Sequence, residues 1–157
     1  ASAFCNCSGL TGMFSIPANV NSIGDYAFYG CNQIDGFNVD ASNQTFSSPG
    51  GFLMSINQDS LFICPQKFAG KYTVPNTVKY IGYSAFDGCT ALTEVIMPSS
   101  VTYIDNYAFE YCTGLSRVRI GENISTIGSS AFYNCTALQK LEIKKAMPPT
   151  VDYYTFN

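Results

Sequence analysis

The sequence predicts an α/β repeat fold: a solenoid of 23-residue coils with short parallel strands and short helical turns, plus a β-hairpin inserted at about 40–70. Three observations predict it. "YIDNYAFEYC" (103–112) is rewritten 23 residues later as "TIGSSAFYNC", and Ala-Phe pairs end at Phe4, Phe28, Phe86, Phe109 and Phe132. Cysteines follow those rings at a fixed offset of three: Cys7, Cys31, Cys89, Cys112 and Cys135. The intervals between the rings, counting Phe156 after Thr155, are 24, 58, 23, 23 and 24, so only one gap breaks the period.

Each part of the coil follows from its residues. "LTEVIM" (92–97) and "LSRVRI" (115–120) alternate apolar and polar side chains over their last positions. Each is expected to form a short strand, with Val95 and Met97, or Val118 and Ile120, pointing inward. Pro98, like Pro17 and Pro75, ends its strand because it has no N–H for the ladder. Ile104, Ala108, Cys112 and Leu115 are spaced 4, 4 and 3, which predicts one face of a short helix or helical turn across the coil. Phe109 lies beside that face and is large enough to fill the middle. A period of about 20–29 residues with this L-x-x-L-x-L lead is the pattern of a leucine-rich-repeat solenoid. One coil cannot bury its apolar side alone, so the coils stack, and strands lie about 4.8 Å apart.

The long gap holds "DASNQTFSSPGGFLMSINQDSLFICPQKFAG" (40–70). Gly50-Gly51 and Asn57-Gln58-Asp59 are turn signals around "FLMS" and "LFIC", which predicts the hairpin. It either adds edge strands or projects from one face. It serves either a binding face or simple stabilisation.

Composition narrows the function. The chain has 157 residues, 46% hydrophobic and 12% charged, with net charge −3. Eight Lys plus Arg without a basic run point away from nucleic acid. No stretch is apolar over the roughly 18 residues of a membrane span. Histidine is absent, which removes the commonest general base and metal ligand. No signal-peptide pattern opens the chain, and both ends fall inside repeats. Residues 1–157 are therefore read as one solenoid domain cut from a longer array.

"VPNTVKYIGYSAFDGCTALTEVIMPSSVTYIDNYAFEYCTGL" resembles the BspA-like leucine-rich-repeat family. "VDASNQTFSSPGGFLMSINQDSLFICPQKFAGKYTVP" resembles the segment many members carry between repeats, and "KKAMPPTVDYYTF" their C-terminal unit. Thr155 in place of Ala, and one extra residue at Met13-Phe14, depart from the pattern. The resemblance implies a cell-surface or secreted protein of host-associated bacteria that binds a host or extracellular-matrix protein rather than catalysing a reaction. It fixes no binding residue.

The core ladder is expected to comprise Phe28, Phe86, Phe109 and Phe132 with Cys31, Cys89, Cys112 and Cys135. A structural zinc site would want close cysteine pairs, often with His; only Cys5 and Cys7 are close, so no metal or cofactor is expected. Disulfides between coils are geometrically conceivable, but five columnar thiols cannot all pair. Small buried fillers are the simpler reading. On the strand exterior two columns emerge, Lys71-Glu94-Arg117-Lys140 and Thr73-Ile96-Arg119-Glu142, as a candidate protein-binding face or as cross-strand charge pairing. The tyrosines either offer an interface or stack coil on coil with hydroxyls at the water edge. Asp25, Asp87 and Glu110 look scattered, and no nucleophile has a base beside it. The sequence thus favours a non-enzymatic binding module, with a structural spacer as the alternative.

Overall fold

A computed structural model describes residues 2–144, 149–151 and 154–156 of the chain. Parts of the C-terminal unit, 145–148 and 152–153, lie outside the described residues. In order the strands are β1 (Gly12–Ile16), β2 (Ile34–Val39), β3 (Phe46–Ser47), β4 (Leu53–Ser55), β5 (Ser60–Ile63), β6 (Gly70–Thr73) and β7 (Tyr80–Ile81). They continue with β8 (Leu92–Ile96), β9 (Tyr103–Ile104), β10 (Arg117–Ile120), β11 (Thr126–Ile127), β12 (Lys140–Ile143) and β13 (Thr150–Val151).

The strands run along a β-solenoid in two lines. On one side β6, β8, β10 and β12 form a parallel sheet, and β1 pairs with β2 in a separate one. On the other side the short strands β7, β9, β11 and β13 pair in parallel. Alternation places Val95, Met97, Val118 and Ile120 in the core. The rings of Phe86, Phe109 and Phe132 stack at 4.7 and 5.1 Å, 14° and 4° from parallel, with Phe109 fully buried. Such ring pairs add about 0.5–1.5 kcal/mol each beyond the area they bury.

The α/β expectation fails. Among the described residues the only helix is a three-residue 3₁₀ turn, Pro49–Gly51. The 4-4-3 spacing reads a chain of tight turns as a helix face. Residues two before and two after each central Phe adopt left-handed φ: Ser84 and Gly88 at 50° and 66°, Tyr107 and Tyr111 at 59° and 55°, Ser130 and Asn134 at 54° and 56°. A left-handed residue every fourth position cannot propagate an α-helix. The backbone is satisfied in another way. Ala108, Glu110 and Cys112 donate N–H to the carbonyl three residues back, whereas Tyr107, Phe109 and Tyr111 donate to Ser129, Ala131 and Tyr133 of the next coil. Stacking thus supplies the hydrogen bonds a helix would have made within itself. The packing is close enough that a Cβ on Gly121 would lie 2.5 Å from the Ser99 nitrogen of the preceding coil.

The inserted segment takes the place of a coil. β4 and β5 form an antiparallel hairpin, β3 adds to β4, and β5 joins β7 in parallel, so the hairpin ends the second sheet. Cys64 donates its N–H to Ala85 at 2.7 Å, the bond Phe86 and Phe109 make to Ala108 and Ala131. A cysteine therefore occupies the backbone slot of a core phenylalanine. The core divides here: Leu53 packs with Phe28, Phe37 and Phe46 on the N-terminal side, while Met54 and Leu61 pack with the later coils.

Candidate functional site

The cysteine column does hydrogen-bonding work. Cys31, Cys112 and Cys135 each point Sγ–H at the carbonyl of the preceding coil's phenylalanine, Phe4, Phe86 and Phe109, at 2.9, 3.0 and 3.1 Å. Cys89 makes the weaker equivalent, 3.8 Å to Pro65, because the hairpin precedes it. All seven cysteines are free. Burial pushes Cys135 up to about 12 and Cys112 higher still, and contact with Cys64 together with burial raises Cys89, so these thiols stay protonated and unreactive. Among the described residues no group of three or more His, Cys, Asp and Glu could hold a metal ion, and no helix is long and apolar enough to cross a membrane.

The strand exterior carries both candidate columns in register. Lys71 pairs with Glu94, Glu94 with Arg117, and Arg117 with Lys140; Thr73, Ile96, Arg119 and Glu142 align beside them. Five of these eight side chains are tied in one ion-pair chain. Lys71 Nζ lies 3.8 Å from Glu94, Glu94 lies 3.6 Å from Arg119, and Arg119 Nε donates to Glu142 Oε2 at 3.0 Å. Lys140 closes the chain on Glu142. The ammonium of Lys140 and the Arg119 guanidinium hold the Glu142 carboxyl below its ordinary value. Exposed pairs of this kind are screened by water and add little to the stability of the fold. Arg117, half-buried, has no ion-pair partner among the described residues.

The opposite, turn-bearing side holds what the sequence left scattered. The position after each core ring carries Tyr29, Asp87, Glu110 and Tyr133. Asp87 and Glu110 stand on adjacent coils, since Gly88 N–H donates to the Glu110 carbonyl at 2.9 Å. Burial first, and the Glu110 charge second, push Asp87 up to about 7. Burial also raises Glu110. The Tyr29 phenol rises chiefly because of the Asp87 charge. Asp25 lines the same cavity as Tyr29, Tyr83 and Asp87. The 23-residue step from Asp87 to Glu110 was the available signal for this column.

Two side chains of the insert went unread. Gln66 donates Nε2–H to the Asp87 carbonyl at 2.8 Å. Asn43 is buried; it donates to Pro17 and Val20 and accepts from Thr45 and Phe46, all within 2.9 Å. Asn43 is thus a structural bracket. The tyrosines contact one another between coils, stacked in Tyr80–Tyr103 at 5.6 Å and edge-to-face in Tyr111–Tyr133 at 5.8 Å.

A family model, the BspA type leucine rich repeat region, matches six copies over residues 1–53 and 58–157. The chain belongs to the BspA-type leucine-rich-repeat family. Solved structures similar to these BspA-type repeats include a leucine-rich repeat protein from Eubacterium ventriosum, with TM-score 0.83 and 26% identity over 92% of this chain and 39% of that one. A leucine rich cell surface protein from Faecalibacterium prausnitzii has TM-score 0.54 and 26% identity over 85% of this chain and 48% of that one. The pneumococcal vaccine antigen PcpA has TM-score 0.78 and 21% identity over 85% and 35%, a likeness of fold alone. The BspA-type chain spans less than half the length of each. No curated protein matches it.

Proposed function

We propose that these BspA-type repeats are a non-enzymatic, protein-binding module of a cell-surface or secreted bacterial protein, part of a longer array and engaging a host or matrix protein. The observation that carries this reading is the strand face: Lys71, Thr73, Glu94, Ile96, Arg117, Arg119, Lys140 and Glu142 in two registered columns across four strands. Arg117, central and unpaired among the described residues, is the anchor we assign to contact, since arginine is enriched among the residues that dominate binding energy. Family membership and a neighbour described as a cell surface protein support the location.

Titrating the chain against a panel of immobilised matrix and serum proteins at physiological salt tests the reading. Saturable binding that falls about tenfold in Arg117→Ala, a loss of about 1.4 kcal/mol, supports it. No saturable binding to any protein on the panel counts against it.

One observation favours a second reading, a structural spacer: the ion-pair chain already ties up five of the eight face residues internally. Deleting residues 71–157 from the full-length protein separates the two. Unchanged adhesion selects the spacer.

A further inference from the structure

The insert leaves a seam on the turn side, away from the strand face, where Gln66 stands between Tyr29 and Asp87. A groove there is lined by Asn32, Tyr29, Gln66, Lys67, Asp87 and Tyr111. A cavity of about 40 Å³ shares Tyr29, Gln66 and Asp87 with the groove and is also lined by Asp25 and by Cys64, which holds the slot of a phenylalanine. Two acceptors at the groove's base have no hydrogen-bond partner: Asp87 Oδ1, on a side chain only 9% exposed, and Gln66 Oε1. Buried oxygens left unpaired are rare and costly. Glu110 adds a second negative charge beside them. The one cation on the groove wall among the described residues, Lys67, is drawn off to Asp35 at 2.9 Å.

We propose that this seam receives a lysine side chain of a partner protein, its ammonium bonding Asp87 Oδ1 and Gln66 Oε1 and its methylenes lying along the rings of Tyr29 and Tyr111. The two orphaned oxygens lack donors and an ammonium is a donor only, so the pairing is complementary. The aromatic rims Tyr29 and Tyr111 favour a cation over a neutral donor. A compact point charge on a slim stem reaches recessed oxygens better than a planar guanidinium fork. The proposal is independent of the strand face, so either can fail alone.

Titration of the intact chain with Nα-acetyl-lysine methylamide, followed by NMR at Asp87 and Gln66, tests it. Saturable shifts at these residues are expected, absent with the norleucine analogue and weakened about tenfold or more in Asp87→Asn. Gln66→Met, which keeps the volume but removes both the acceptor and the Nε2–H bond to the Asp87 carbonyl, is expected to weaken binding too, and it covers the case in which Asp87→Asn fails to fold. Three results overturn the proposal: no saturable shift with the lysine analogue, equal binding by the norleucine analogue, or saturation of the same resonances by calcium chloride while the lysine analogue leaves them unmoved. No shift with either the lysine analogue or calcium assigns the cavity to bound water, for which it has room.

Discussion

Phe109 and Asp87 mark the two extremes of what one side chain does in this coil. Phe109→Ala empties the middle of a fully buried stack and is expected to cost about 3–5 kcal/mol in urea denaturation; a loss under about 1 kcal/mol would place the ring outside the core. Thiol reactivity separates the cysteines. At pH 8, Cys7, which is exposed, should label quickly with an aromatic disulfide reagent, while Cys89, Cys112 and Cys135 label only on unfolding. Rapid native labelling of Cys112 contradicts its hydrogen bond to Phe86. For Asp87 the sign follows from linkage. Its folded value, about 7, exceeds its ordinary 3.8, so the stability it contributes is complete below the ordinary value and is lost as pH rises through about 7. Asp87→Asn should therefore gain stability relative to the parent as melts move from acidic to neutral pH, and a constant difference refutes the assignment. The inward ring was legible in the sequence because repetition averages away accident. The carboxylate pair was not, because each acid read alone resembles surface, and only coil stacking brings them together.

At the scale of the element, periodicity misled at the turns. Spacings of 4, 4 and 3 describe which side chains face inward, and a run of tight turns repeats that direction as well as a helix does. The discriminating signal was present two residues after the ring, where Asn6, Gly30, Gly88 and Asn134 are residue types that tolerate left-handed backbone. The insert was legible as strands from its turn residues, but its integration was not, since the parallel bond between β5 and β7 is made across the coil stack. Asn43 ties the insert to the first coils through two hydrogen bonds, to the Pro17 and Val20 carbonyls, and accepts two more from the insert's own Thr45 and Phe46. Asn43→Ala leaves buried backbone groups unpaired and should cost about 1–3 kcal/mol, with faster amide exchange in β3 and β4 before any change in β10. Unaltered exchange in β3 would show that the bracket is dispensable.

Across the whole molecule, stability divides where the core divides. Repeat stacks gain cooperativity from neighbour interfaces, and the interface at the insert differs in kind from the others. Native-state hydrogen exchange should resolve two units, with the amides of Phe86 and Phe109 among the most protected and those of β1 and β2 opening separately. A single common opening energy for both groups would show one cooperative body. The sheet break carries a mechanical corollary. Along the later coils a load travels through strand ladders on both sides, but no ladder bridges β2 to the insert. Tension applied to the two ends is therefore borne at that joint by side chains and isolated bonds, which makes it the hinge and the first place to yield. A pull along the stack would flex that joint while the coils on either side keep their shape.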